Sequence, residues 1–433
     1  SHMLNFIKQH SLELNEETKA IKYDGNWYKI KSQFLLPVKL PMELKDGDDI
    51  KNWFISQGWE PTMYNFKRDE KGKPVRDSNG QVINTSPKIQ DQGKICPNLL
   101  ELDGELPKKI VKFMSLRNRR SVLQGWLKNW RLEFDGRLSA EITGYTPTTR
   151  VKHSCIVNLP KASPEVIKGY EIRSLFTVED GLKYVSADAA ALENRTVADY
   201  TYKYDGGSYA KLVLEGDSHS FNAKTFFPEE TKDFDIYADD FDKDHPGFKP
   251  YRNKSKNGVY SLTYGASVTK FAKTLGIPLS AGQIAYENYW KKNPGLKKFK
   301  DAIESYWSTV GKKKYIISRD GQHLTARSKH LLVNLAGQSL GAKVISYAAC
   351  LMDNNLGWLQ IDELGRPYYD YNGYRVARLA AFHDQLDFEA EPEVSDEVGQ
   401  LIVNCIKKAG KMLKMQVDLD GEYKVGNNAA EIH

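Results

Sequence analysis

The stretch Arg252 to Gly265, RNKSKNGVYSLTYG, constrains this chain more than any other. It sets Arg252, Lys256, Tyr260 and Tyr264 at intervals of four residues. Side chains so spaced stack along one face of an α-helix, so a helix here displays two cations followed by two phenols. A fixed pair of cations can hold a polyphosphate, and an aromatic ring beyond it can stack on a base. The plainer alternative is a solvated basic stripe on a surface helix.

A chain of 433 residues can form two or three sub-domains around a large core. With 40% hydrophobic and 27% charged residues, the composition is that of a water-soluble globular protein. No apolar run approaches the ~20 residues needed to cross a bilayer and no signal peptide opens the chain, so no membrane partner is expected. Ser1-His2-Met3 reads as an expression-tag remnant. Cys96, Cys155, Cys350 and Cys405 are scattered without a C-x-x-C pair, which points to a reducing, cytoplasmic setting and away from structural zinc. A net charge of +6 permits a polyanionic partner without requiring one.

Residues 1–50 carry short β-like runs (Trp27–Lys31, Phe34–Val38), and 48–58 has the spacing of a short helix. Residues 66–93 are polar and turn-rich and read as a loop. From Pro107 to Arg131 the period is helical, read as a helix pair. The stretch carries Lys108, Lys109, Lys112, Arg117, Arg119, Arg120, Lys128 and Arg131 and no acidic residue, a plausible track for a phosphate backbone. The alternative is that those charges only solvate it. Asp135–Leu138 looks like a hairpin start, and 170–187 like strand-turn-strand running into Asp188 and a helix. Residues 228–244 form an acidic loop with eight carboxylates. Helices are expected over 278–312 (a pair about Asn293-Pro294), 330–352 and 395–415, with a strand-turn-strand over 375–390. Helices and antiparallel strands interleave without a βαβ rhythm, which indicates an α+β fold.

Two aspartates stand out by position. Asp188 ends an apolar strand, and Asp384 lies in Phe382-His383-Asp384-Gln385 at an expected hairpin tip. Singly, each could be a cap or turn residue. Together, carboxylates from distant segments could hold a pair of hard cations, which stabilise attacking and leaving oxygens in phosphoryl transfer.

These segments resemble the motifs of family A DNA polymerases, and the likeness is greatest to the replicative enzymes of short-tailed phages. SADAAALENR (186–195) resembles motif A, RNKSKNGVYSLTYG motif B and AFHDQLDF motif C. Four lesser blocks follow in order: TTRVKHSCIVNLP (148–160), EIRSLF (171–176), GDSH (216–219) and NLAGQS (334–339). The resemblance implies an α+β right-hand fold with an antiparallel-sheet palm, helical fingers and a helical thumb. The implied bounds are 1–85 for a lead-in segment, 86–145 for the thumb, 146–217 and 331–433 for the palm, and 218–330 for the fingers.

It also implies template-directed addition of dNTPs to a primer 3′-hydroxyl, with two Mg²⁺ ions held by Asp188, Asp384 and the carbonyl of Ala189. Arg252, Lys256 and His219 would grip the triphosphate, with Lys256 donating a proton to pyrophosphate. Tyr260 would pack on the incoming nucleotide, Tyr264 on the template base, and Glu193 would close the space for a ribose 2′-hydroxyl. Arg173, Asn334 and Gln338 would touch the primer-template minor groove, Arg150 the primer backbone, and His383 belongs with these substrate contacts. Implied partners are primer-template DNA and dNTPs, with a separate exonuclease or processivity factor, in phage or bacterial host cytoplasm.

Two departures qualify the resemblance. Motif C usually has Glu where this chain has Gln385, which opens an alternative reading as a catalytically weakened primer-template-binding relative. RNA-templated or ribonucleotide synthesis is another alternative, and Glu193 argues against ribonucleotides. Tyr260 stands where Phe also occurs, from which easy dideoxynucleotide incorporation is expected. No exonuclease motifs precede Thr148, so no proofreading is expected of this chain. The acidic loop looks like an insertion without an assigned role.

Overall fold

The computed structural model describes residues 13–15, 20–23, 26–29, 47–70, 74, 75, 77, 82–91, 94–129, 136–138, 142–154, 156, 159–164, 166–310 and 314–432. The β-like run at 34–38, Asp135, Arg131 and Cys155 lie outside these residues. Two units divide the chain, 1–115 and 116–433.

In the first unit β1 (Glu13–Asn15), β2 (Ala20–Tyr23) and β3 (Asn26–Lys29) form a three-stranded antiparallel sheet. Helix α1 (Gly47–Ser56) buries Ile50 and Phe54, four residues apart, as its spacing requires. The span read as a loop instead holds two small hairpins, β4 (Tyr64–Phe66) with β5 (Asn84–Pro87) and β6 (Gln90–Asp91) with β7 (Lys94–Ile95). Their burial explains the misreading. Strand β5 is exposed at three of four positions, so it has no buried face to impose alternation. The short α2 (Pro97–Leu100) precedes α3 (Glu105–Asn129), one 25-residue helix rather than a pair. Nothing between 107 and 129 removes a backbone donor, and Ser115 bonds back to the Val111 carbonyl without breaking the ladder. Ile50, Phe54, Trp59, Leu99, Ile110 and Met114 make this unit's core.

The second unit starts within α3 and continues through the hairpin β8 (Ile142–Tyr145) and β9 (Val151–His153). Residues 169–174 then form helix α4 (Gly169–Ser174), where a strand was expected. Gly169 and Ile172 are buried three apart and Leu175 is 60% exposed, so the apparent alternation was not a pattern of burial. Next come β10 (Lys183–Ala189), α5 (Leu192–Asp205), α6 (Ser208–Leu214) and α7 (Ser218–Phe226). Helices α8 (Lys249–Thr263), α9 (Val268–Leu275), α10 (Leu279–Lys292) and α11 (Pro294–Thr309) follow, then β11 (Tyr315–Ile317) and β12 (His323–Thr325). The chain closes with α12 (Leu332–Leu356), β13 (Leu359–Ile361), β14 (Pro367–Tyr371), β15 (Tyr374–Phe382), β16 (Gln385–Ala390), α13 (Ser395–Met412) and β17 (Gly421–Gly426).

Six strands form one antiparallel sheet in the order β13-β14-β15-β16-β10-β17. Alternation gives it two unlike faces. Val185, Ala187, Leu386, Phe388 and Ala390 turn to one side and pack with Val344, Ala348 and Met352 of α12 and Val398, Ile402 and Ile406 of α13. Burying a side chain such as Phe388 or Ile402 contributes about 2 kcal/mol. The other face carries Tyr184, Ser186 and Asp188 beside Gln385, Asp387 and Glu389, a row that the apolar core could not accommodate. A second core, including Phe226, Leu262, Phe271, Leu275, Tyr289 and Phe299, holds α7 to α11 together. The acidic segment 228–244 has no helix or strand but is anchored. Phe234 and Phe241 pack on the fully buried Phe248, and the Lys224 ammonium donates to the carbonyls of Thr231 and Phe234.

Candidate active site

Asp188 and Asp384 come together through strand pairing. Asp188 faces Gln385 across the β10–β16 ladder, and the Ala189 amide donates to the Asp384 carbonyl at 2.9 Å. Asp384 sits in the two-residue turn between β15 and β16, where His383 adopts a left-handed φ of 49°. Ala191, between β10 and α5, has the same unfavourable conformation at φ 49°. For a non-glycine residue this costs about 1–2 kcal/mol, so two strained residues flank the two aspartates.

The electrostatics of the pair are uncompensated. Asp188 is exposed, yet the protein crowding it removes enough water to push its carboxyl up to about 7, with repulsion from Asp384, Asp387 and Glu422 adding to the shift. Burial also raises Asp384, and Arg150 and His383 only partly oppose it. Two neighbouring carboxylates that resist ionisation, one of them open to solvent, suit a divalent cation, which would supply the missing positive charge. The donor set therefore fits the Mg²⁺ expected there. Ala189 follows Asp188 in β10, and its amide donates to the Asp384 carbonyl. Among the described residues no group of three or more His, Cys, Asp or Glu side chains makes a metal site, so an ion here would draw on these two carboxylates together with backbone carbonyl and non-protein ligands.

Helix α8 brings the cations. Pro250 lies in its first turn, and Gly265 closes it at φ 73°, where a Cβ would lie 1.9 Å from the His330 carbonyl oxygen. Along α8, Arg252 is held from below by Asp217, which accepts from Nε at 2.8 Å and from a terminal nitrogen at 3.2 Å. The same carboxylate caps α7 by accepting from the His219 and Ser220 amides. Burial alone would raise Asp217, but the bonds from Arg252 and Ser220 outweigh it and hold the carboxyl at about 2. Lys256 is exposed one turn on. Burial, Lys256 and Arg252 all lower the His219 imidazole, and its Nδ1 is buried without a partner among the described residues. Tyr260 lies 6.4 Å from His219, ring to ring, and near enough to Glu193 and Asp384 that both, after burial, oppose its ionisation. Through Tyr260, this face of α8 adjoins Asp384.

A second knot joins four expected residues. Glu193, in the first turn of α5, accepts from Gln338 Nε2 at 2.7 Å and from the Tyr264 hydroxyl at 3.4 Å, and pairs with Arg150 at 3.5 Å. Gln338 also donates to the Tyr264 hydroxyl at 2.8 Å. Arg150, Asn334, Gln338 and His383 line a groove of 1380 Å³ together with Arg327 and Lys343. Within it Arg150 Nε and Asn334 Oδ1 are buried and unpartnered among the described residues, leaving a donor and an acceptor available to a ligand. Arg173 lies apart from that groove. Its Nε donates to the Pro160 carbonyl at 2.5 Å, and it faces Asp387.

Three acidic residues of the site carried no assignment from sequence: Asp217, Glu422 and Asp387. Asp217 has a helix-cap signature in Asp-Ser-His-Ser, and Asp387 occupies an inward position in the alternation of QLDFEA. Glu422 had no local signal, because it reaches Asp188 only through the β10–β17 pairing.

Comparison with known proteins gives the lineage. Over 420 residues the chain is 24% identical to the DNA-directed DNA polymerase of Escherichia phage T7, covering 89% of this chain and 52% of that protein. It is 22% identical over 366 residues to the corresponding enzyme of Escherichia phage Phieco32, covering 69% and 56%. DNA polymerase I of Pseudomonas aeruginosa is 24% identical over 349 residues, covering 78% and 35%. The chain thus spans about half the length of these phage relatives. Among solved structures it resembles the POL domain of Pol1 from M. smegmatis, in a complex with DNA primer-template and dNTP. That match has a TM-score of 0.62 at 18% identity and covers 90% of this chain and 62% of the other. The fold is accordingly the α+β polymerase fold, and family A implies use of a divalent metal. The model of that family matches residues 84–431, so the chain belongs to DNA polymerase family A.

Proposed function

We propose that this chain extends a DNA primer on a template, adding dNTPs by attack of the primer 3′-hydroxyl on the α-phosphate with release of pyrophosphate. The observation that carries the reading is the meeting of Asp188 with the Asp384 turn where β10 pairs with β16, close to Tyr260 on the α8 face that also carries Arg252 and Lys256. Asp188, Asp384 and the Ala189 carbonyl would hold two Mg²⁺ ions, which supply charge neutralisation at the attacking and leaving oxygens. Arg252, Lys256 and His219 bind the triphosphate, and Lys256 hands a proton to the leaving pyrophosphate. Arg252 is already aimed by Asp217, so it meets the phosphates with little loss of rotamer freedom. Tyr260 packs on the sugar and base, Tyr264 lies against the template base, and Glu193 fills the space of a 2′-hydroxyl. The Gln338–Glu193–Tyr264 bonds hold that gate in place. Arg173, Asn334, Gln338, Arg150 and His383 serve the primer-template.

In this reading the palm comprises 146–217 and 331–433, the fingers 218–330 and the thumb 86–145, with 1–85 a lead-in segment. It includes no proofreading step and works with a separate exonuclease or processivity factor. No helix among the described residues is long and apolar enough to cross a membrane. Gln385 supports the second reading, a weakened primer-template-binding relative, because its amide leaves one carboxylate fewer beside Asp188. Primer extension with Mg²⁺ and dNTPs, with Asp384→Ala as the blank, separates the two. Extension by the wild type alone supports synthesis, and DNA binding without extension supports the relative. Running the panel on DNA and RNA templates with dNTPs and NTPs fixes the substrate.

A further inference from the structure

The polar face of the sheet continues inward beyond the site. Asp387 is 1% exposed and lies two residues along β16 from Gln385, on the same face. Three donors converge on it. Tyr184 reaches one oxygen at 3.0 Å, and Ser186 and the Gln385 amide reach the other at 2.7 and 2.6 Å. Arg173 faces it from α4. A carboxylate so surrounded is an acceptor, so Gln385 must present Nε2 to it. The amide then has one orientation, with Nε2 on Asp387 and Oε1 on its other edge, free of that bond.

We infer that Asp387 is a positioning residue that holds Gln385 as an outward-facing hydrogen-bond acceptor beside Asp188 and Asp384. This rests on the proposed polymerase reading and deepens it. Gln385 thereby offers the reacting primer end an oxygen, as a carboxylate would. The arrangement works only as a donor–acceptor pair. A glutamate in place of Gln385 would set a second carboxylate within hydrogen-bond distance of Asp387, and two such groups cannot both ionise there. An asparagine in place of Asp387 would let the Gln385 amide turn over. Making both changes restores the pairing with its direction reversed, the new asparagine amide donating to the new glutamate carboxylate.

The test is a double-mutant cycle in primer extension, with kcat and the KM for dNTP measured for wild type, Gln385→Glu, Asp387→Asn and the double variant. Each single change is expected to lower kcat ~10-fold or more with little change in KM, as loss of an outer-shell partner typically does. The double variant is expected to recover most of that loss, a recovery that mere damage to the fold would not produce. The inference is overturned if the double variant is as slow as the product of the two single losses, or if either single variant stays within about two-fold of wild type. Should Asp387→Asn fail to melt cooperatively, Gln385→Glu decides alone: a loss of ~10-fold or more in kcat supports the inference, and a rate within about two-fold of wild type overturns it. A wild type that extends no primer sinks the polymerase reading itself, whereas an active wild type with silent variants sinks only this inference.

Discussion

Asp188 and Asp217 are the same residue in opposite surroundings. Asp188 is exposed, crowded by Asp384, Asp387 and Glu422, and its carboxyl is pushed up to about 7. Asp217 is partly buried, yet five donors, two from Arg252, the Ser220 hydroxyl and the His219 and Ser220 amides, hold it at about 2. The first aspartate is left short of positive charge and the second is supplied with it from within the fold. A carboxylate with internal partners is a structural anchor, while one denied them is poised for a cation from solution. The same logic separates the two cations of α8, since Arg252 is tethered and Lys256 is exposed.

The largest effect that could break this comparison is at Asp188, the proposed metal ligand. Asp188→Ala is expected to lower primer extension by at least ~10³-fold, since it removes charge stabilisation of the transition state. The folded protein should survive, and Mg²⁺ binding measured by calorimetry should be lost with activity. An active Asp188→Ala enzyme would end the two-aspartate reading. Lys256→Ala should reduce kcat by about 10²–10³-fold, the range for a lost general acid, with a smaller change in the KM for dNTP. A change in KM alone would make Lys256 a binding group only. Tyr260→Phe should lower incorporation of dideoxynucleotides relative to dNTPs by ~10-fold or more, because the phenol can stand in for the absent 3′-hydroxyl. Equal ratios for the Tyr and Phe versions would refute that role.

The smaller effects concern stability. Asp217→Asn should cost about 2 kcal/mol at neutral pH, from the lost cap and the weakened bonds to Arg252. Because the folded pKa is depressed, that contribution is fully present above the ordinary value of 3.8 and disappears as pH falls toward about 2. Thermal melts of wild type and Asp217→Asn should therefore converge in acid. Asp188 should behave in the opposite sense. With its pKa raised to about 7, the folded chain retains a proton that the unfolded chain has lost, so metal-free stability declines as pH rises from about 4 to 7. In chelator, Asp188→Asn should flatten that decline, and Mg²⁺ should do the same for the wild type.

Much of this was readable in one dimension. The four-residue spacing of Arg252, Lys256, Tyr260 and Tyr264 is a property of helical geometry, and α8 forms with Tyr264 at its C-terminal end. The strand ending at Asp188 and the hairpin tip at Asp384 were set by alternation and length, and β10, β15 and β16 follow them. Where the buried face was narrow or missing, local pattern misled, as in the helix at Gly169–Ser174 and the exposed hairpins between 64 and 95.

The amino-acid order by itself determined which side chains share a helix or strand face, because backbone periodicity is local. Only tertiary structure decided which charges meet. Glu422 reaches Asp188 through the pairing of β17 with β10, and Asp217 reaches Arg252 across the α7–α8 contact. A pKa depends on neighbours brought from anywhere in the chain, and so identical aspartates end at about 7 and about 2.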